Sequence, residues 1–414
     1  MVTAPVRAGR IAPLRALLAT MNIAPGVVDP ENALLPFAHF TTIHVARLLI
    51  LDDPTLPDRA IYPGLPDSEP VYLSLQADCD GPADALIDAL AASPGLRAIF
   101  AHCEGFDTNT DLAAWMRARH IPAATAYTNG PGRSLARIRE EAALHDVLRA
   151  SRLSAGYMPP EALRDRLIAA AQGVILTPPA TPSIGLRIAR LLDFLLLPVV
   201  VLLLLPLLLI AAPVLIVMLR RREKADPVIA PAPSVAAIAA FSASEDHSVT
   251  NPFSAIGSLK PGAFRRWITI VILWVVNWTT RHIYTHGRLG RVGTIHFARW
   301  VFLDNERRLF FASNYDGSLE AYMDDFINKV AFGLNLVFSN GIGYPRTDWL
   351  FVGGARHDRD FKGFLRHHQI VTDVWYKAYP GLTTYDLARN SRIRAGFEQA
   401  PLTGAALTRW LAEI

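Results

Sequence analysis

Two six-residue segments constrain this chain more than any other feature. Thr-Ile-His-Val-Ala-Arg occupies residues 42–47, and Thr-Ile-His-Phe-Ala-Arg occupies residues 294–299. An apolar run and an Asp follow each (Asp52, Asp304), then a strand-like stretch ending in Asp-Gly (Asp80-Gly81, Asp316-Gly317). Helical stretches come next, at 83–91 and 319–330. After them Ile99-Phe100 precedes Gly105, as Val337-Phe338 precedes Gly343. Each copy continues through a helix (111–119, 359–368) and a strand leading to Pro-Gly (Pro131-Gly132, Pro380-Gly381). His and the Asp of Asp-Gly are 36 residues apart in the first copy and 20 in the second, so the first carries an insertion of 16. A shared order this long marks an internal duplication.

Each copy reads as strand, strand, helix, strand, helix, strand and terminal helix, over 30–150 and 290–400. The alternation of Val71, Leu73 and Leu75 with Ser74 and Gln76 suits a half-buried strand. Short strands interleaved with helices imply a sheet with helices on one face. The expected fold class is α+β, two tandem ferredoxin-like repeats pairing as an α/β barrel. In element order this resembles the dimeric α/β-barrel superfamily, which includes chlorite-dismutase-like and dye-decolorising peroxidases. That resemblance implies heme as a cofactor to test, and it supplies no chemistry by itself.

Residues 194–219 are 26 positions without a charge, preceded by Asp193 and followed by Arg220, Arg221, Arg222 and Lys224. About 20 apolar residues cross a bilayer, so 185–224 is expected to be a membrane anchor. Pro198, Pro206 and Pro213 lie inside it, and proline kinks a helix, so a re-entrant hairpin competes with a transmembrane helix. Seven basic residues sit near the ends of the following loop (Arg220, Arg221, Arg222, Lys224, Lys260, Arg265, Arg266), which disfavours exporting it. The expected arrangement is a Pro-bent, monotopic anchor with both repeats on the cytoplasmic face of a bacterial inner membrane. Residues 225–262 read as a linker. Residues 263–285, with Trp267, Trp274 and Trp278, read as an interfacial amphipathic helix, a buried helix being the plainer alternative. Of 414 residues 51% are hydrophobic and 19% charged, which fits folded domains with a membrane-embedded minority.

The segments 258–262, 293–300, 313–317, 354–356 and 375–380 give residues 240–397 a likeness to an uncharacterised bacterial membrane-associated family. That resemblance implies membrane association without naming a reaction.

Several chemistries lose support. Two cysteines, Cys79 and Cys103, exclude a disulfide scaffold and a four-Cys zinc site. A net charge of +4, with no Lys/Arg-rich run that suggests a nucleic-acid groove, argues against nucleic acid as partner. No Gly-rich phosphate loop, Gly-x-Ser-x-Gly or His-Glu-x-x-His is present. The candidate catalytic residues are the matched His44, Arg47, His296 and Arg299, with His44 and His296 approaching across the pseudo-twofold to hold heme or a metal. Three positions apart on a regular strand, His and Arg would face opposite ways. The plainer alternative is a histidine bonded within a sheet and an arginine paired with a carboxylate. A second candidate is a divalent-metal site of His102, Glu104, Asp78 and Asp80, should their strand ends adjoin. Asp316-Gly317-Ser318 reads as a turn and helix cap, His357, His367 and His368 as a solvated face. The functional expectation is a membrane-anchored protein, bound to lipid, holding an apolar or lipid-derived ligand between the repeats, with heme- or metal-dependent oxidoreduction as its chemistry. A non-enzymatic membrane-tethered scaffold or docking module is the alternative, and homo-oligomerisation is left open.

Overall fold

The computed structural model describes residues 1–178, 182–229, 233–285, 287–399 and 401–414. Each half contributes four main strands. They are β1 (Val2–Pro5), β2 (Ile43–Leu51), β3 (Tyr72–Cys79) and β4 (Thr125–Thr128), then β5 (Thr250–Ser258), β6 (Ile295–Leu303), β7 (Arg308–Asp316) and β8 (Val374–Lys377). The helices of the first half are α1 (Ile11–Ala19), α2 (Ala83–Ala91), α3 (Pro94–Phe100), α4 (Leu112–Ala118), α5 (Leu135–Leu153) and α6 (Pro160–Ala171). Between the halves run α7 (Ile184–Ala225) and α8 (Val235–Ser242). The second half has α9 (Ala263–His282), α10 (Leu319–Phe338), α11 (Asp358–His368), α12 (Thr384–Glu398) and α13 (Gly404–Glu413).

The duplication is larger than 30–150 and 290–400. β1–α1 and β5–α9 open the two halves at equivalent places, so the stretch read as a linker over 225–262 contains β5. Residues 230–232 of that stretch lie outside the described residues. Ile99-Phe100 and Val337-Phe338 end helices α3 and α10 instead of forming strands. A short apolar run has no periodicity of its own, and Pro94 at the first turn suits a helix start.

The sheets are antiparallel and exchange their last strands. Their orders are β1-β3-β2-β8 and β5-β7-β6-β4, so each sheet takes three strands from one half and the fourth from the other. They remain two four-stranded sheets, not a closed barrel. β2 is buried along its whole length because both its faces are covered. Ala46, Leu48 and Ile50 join the core under α1–α4, while Leu49 and Leu51 pack against Ile256, Val301, Leu303 and Phe310 of the second sheet. The second sheet's other face is closed by α9, α10 and α11. Helices α5, α6, α12 and α13, two from each half, share one further core around Leu144, Leu148, Leu167, Ile393 and Trp410.

The anchor segment is helical throughout, with Pro198, Pro206 and Pro213 inside it. Both its ends return to α9. Phe194 stacks on Trp278 and accepts from its indole N–H, and Asp193 pairs with Arg281 and His282. At the other end Asp226 binds Arg265 and Lys260, and the buried Glu223 accepts the amides of Trp349 and Leu350. At about 1.5 Å per residue, α7 runs about 48 Å from Phe194 to Asp226, while α9 runs about 20 Å from Arg265 to Trp278. The intervening stretch of α7 therefore bows away from α9, as its three internal prolines allow. Leu202, Leu203, Leu204 and Leu205 are all exposed, and four consecutive positions surround a helix, so α7 has no polar face there. It is long and apolar enough to cross a membrane. The strand exchange nevertheless ties the residues before and after it into common sheets, so one bilayer cannot separate the halves.

α9 combines both expectations for 263–285. Thr269, Leu273 and Trp278 are buried, while Trp267, Val271 and Trp274 form an exposed apolar stripe.

Candidate functional site

The two repeated histidines meet their own repeat's Asp-Gly. His44 Nε2 lies 3.0 Å from Asp80 Oδ1, and His296 Nε2 lies 2.7 Å from Asp316 Oδ1. Each aspartate is fixed the same way. Asp80 Oδ2 accepts from the amide of Leu135, the first residue of α5, and Asp316 Oδ2 from that of Thr384, the first residue of α12. Helix N-termini carry unpaired N–H groups and favour a carboxylate. An ionised carboxylate only accepts, so Nε2 carries the proton in each ring and Nδ1 is left as the acceptor.

A β-bulge turns the histidines inward. Ladder registers shift between Ile43 and Val45 in β2 and between Ile295 and Phe297 in β6. An extra residue reverses the alternation of faces, so His44 and Arg47 both face the opposite sheet, as do His296 and Arg299. The sequence expectation of opposite faces is corrected by that bulge. The arginines are staples between sheets. Arg47 donates to Phe253 O, Ser254 Oγ and Ser313 O, and Arg299 binds Asp78 and Ala77 O. They hold the site's walls together without facing its cavity.

The cavity between the halves has a volume of about 330 Å³ and is lined by both histidines, Asp78, Asp80, Asn129, Arg133, Phe297 and Tyr379. Tyr379 breaks the pseudo-symmetry, because the matching position in the first half is Gly130. Its ring stands edge-on to His44, and its hydroxyl lies 3.4 Å from His44 Nδ1. The His296–Asp316 pair is closed off, at 1% and 8% side-chain exposure, whereas Asp80 of the other pair is 31% exposed. His44 is itself only 6% exposed, so a solute reaches the His44–Asp80 pair from the side of Asp80. Behind His296, Lys377 Nζ donates to Thr250 Oγ1 (2.5 Å) and to Leu382 O (2.6 Å).

Burial sets the charge states. Burial and then the Lys377 ammonium push His296 down to about 4. Burial pushes Lys377 down to about 7, against the pull of Asp316. Burial raises Asp316, but hydrogen bonds from His296, Thr250 and Thr384 outweigh it and hold the carboxyl below its usual range. His368, expected on a solvated face, is buried and also pushed to about 4. A folded value below the unfolded one means the unfolded chain takes the proton first. His296 and His368 thus cost stability as pH falls from about 6.5 to 4, each by up to roughly 3 kcal/mol. Asp373 acts oppositely: burial raises it to about 6, so its protonation below that value favours the folded state by a similar amount. Burial also pushes the Met1 amino group down to about 5, so three losses against one gain predict that unfolding free energy is lower at pH 4.5 than at pH 7, by roughly 5 kcal/mol. Denaturant titrations at the two pH values check this, and equal or greater stability at pH 4.5 contradicts it.

The metal-site candidates do not come together. Glu104 N bonds Pro5 O and Arg7 N bonds His102 O, which places both residues at the Tyr72 end of β3, since Pro5 pairs with Tyr72. Asp78 and Asp80 lie at the other end, about 20 Å along the strand. Among the described residues no group of three or more His, Cys, Asp or Glu is placed to hold a metal ion. The histidines also fit heme poorly. Each Nε2, the nitrogen an axial imidazole presents to iron, faces a carboxylate, and His44 Nδ1 faces Tyr379.

The His–Asp pairing was missed in the sequence, although its signal was there: both copies carry the His and the Asp-Gly. The insertion, which made their spacing 36 in one copy and 20 in the other, hid it.

Fold and site together define an α+β protein with paired His–Asp dyads at the junction of two halves and one long apolar helix. No protein-family model matches the chain, and no curated protein or solved structure matches it either.

Proposed function

We propose that this is a membrane-anchored protein that binds a lipid-derived ligand by its polar head in the cavity between the halves, where His44 transfers a proton. The observation that carries the reading is the His44–Asp80 dyad, held by a helix N-terminus and open to a cavity of about 330 Å³. Asp80 fixes the tautomer and supports the imidazolium when Nδ1 takes a proton, the part an aspartate plays in a catalytic dyad. Asn129, Arg133 and Tyr379 supply polar contacts for a head group. These polar walls favour a ligand with a hydrogen-bonding head over a wholly apolar one. The poor fit of the imidazoles to heme turns the chemistry from oxidoreduction towards acid–base catalysis.

Each unit has the order strand, helix, strand, strand, helix, strand, and the chain entering each last strand still bridges its own first strand (Val2 to His120, Ala255 to Gln369), which supports a pair of ferredoxin-like units that extend their final strands onto each other's sheets. The anchor is monotopic in this reading, with α7 immersed from one side. The basic run after Met218 favours the cytoplasmic face of a bacterial inner membrane.

The test incubates the full-length protein, in mild detergent, with a bacterial polar lipid extract and compares lipid species by mass spectrometry. Wild type is expected to deplete at least one species and form a product, with His44→Gln slower by roughly 10²–10⁴-fold. Unchanged lipids with wild-type protein would overturn the reading and favour a membrane-tethered scaffold.

A further inference from the structure

A second cavity lies on the opposite face of the second sheet, between α9 and α10. It measures about 200 Å³, and its walls include Val276, Thr279, Trp300, Phe326, Val330 and Gly333. The Thr279 hydroxyl is already satisfied, donating to Val276 O at 2.8 Å. Two local features open it. α10 breaks at Val330, whose φ of −141° and ψ of 25° are not helical. Gly333, three residues on, has nothing within 4 Å of where a Cβ would stand. Beside it Phe332 is exposed.

The position of this groove relative to α7 identifies its occupant. Asp193, Arg281 and His282 form an ionic cluster where the apolar stretch of α7 begins, next to the stacked Phe194 and Trp278. Charged groups mark the polar level of a bilayer. Val276 lies on α9 between its two charged ends, and α7 returns to both of them, so α9 lies along the membrane surface with Trp267, Val271 and Trp274 exposed. The groove, on the face of α9 next to that stripe, therefore opens at the membrane surface where acyl chains begin. Its volume is below the roughly 300–1,000 Å³ of a pocket that encloses a whole drug-sized ligand, which suits part of a chain continuing into the bilayer.

We propose that this groove binds one acyl chain of a membrane lipid, at a site separate from the His44 cavity. The proposal rests on the membrane reading of α7 but not on any chemistry at His44. It is tested with the full-length protein in nanodiscs of phosphatidylcholine whose acyl chains carry a photoactivatable diazirine, with adducts mapped by mass spectrometry. Adducts are expected on α10 around Val330–Val337 as well as on α7. Gly333→Leu fills the groove without a backbone clash and improves helix propensity. It should reduce the α10 adducts severalfold while leaving those on α7 unchanged. Wild-type adducts on α7 without α10, or α10 adducts that persist in Gly333→Leu, overturn the proposal. An unlabelled α7 overturns the membrane reading and this proposal with it, whatever the lipid-conversion assay gives.

Discussion

Replacing residues 195–218 with a Gly/Ser linker of equal length should move the protein from the membrane fraction to the soluble fraction while its fold survives. The two halves of that expectation have separate causes. Phe194 and the segment from Leu219 to Asp226 make the contacts with the folded body, and they are retained. The replaced leucines and valines are largely exposed and hold nothing together. Immersing a large aliphatic side chain is worth about 1.5–3 kcal/mol, so a handful of them exceeds about 10 kcal/mol, roughly seven decades in partitioning. The linker reaches far enough, because 24 flexible residues span about 27 Å on average, against about 20 Å for the facing stretch of α9. Membrane flotation and a thermal unfolding scan of the two proteins decide the matter. A variant that still floats would assign anchoring to the Trp267–Trp274 stripe, and one that fails to fold would give the middle of α7 a structural role.

The second large effect follows from strand exchange. Residues 1–178 and 219–414, produced separately, should each fail to give a cooperatively folded monomer, and mixing should restore a 1:1 complex. The first fragment lacks β8 for its sheet and the second lacks β4. Each also loses its side of the core between the sheets, where Met1, Leu49 and Leu51 meet Ile256, Val301, Leu303 and Phe310. At about 1.5–3 kcal/mol per buried side chain, these seven alone reach or exceed the roughly 5–15 kcal/mol by which domains are stable. The inter-sheet bonds from Arg47 to Phe253 O and Ser313 O are lost as well, exchanged for bonds to water at about 1 kcal/mol each. Sedimentation velocity and denaturant unfolding of the fragments, alone and mixed, provide the check. Either fragment folding cooperatively as a monomer would mean that its own last strand can close its own sheet, making the exchange dispensable.

What the chain's residues determine alone is local or periodic. The duplication was legible because both copies keep the same residues in the same order, from Thr-Ile-His to Pro-Gly. The apolar helix was legible because uncharged length is a property of composition. His44 and His296 could be named for their matched positions, and Arg47 and Arg299 with them. The partners those residues take were not legible, since none is set by short-range chemistry. One extra residue in β2 and one in β6 reverse which face the side chains take, and a bulge leaves no mark in a hydrophobic pattern this uniformly buried. Whether His102 and Glu104 adjoin Asp78 and Asp80 depends on strand direction, which spacing does not carry, and antiparallel pairing of β1 with β3 sends them to the far end. The two halves have equivalent strands, so either arrangement, closed or exchanged, satisfies the same sequence pattern. Only the three-dimensional chain path, through the pairing of β8 with β2 and of β4 with β6, decides between them, and with it whether α7 can separate the halves across a membrane.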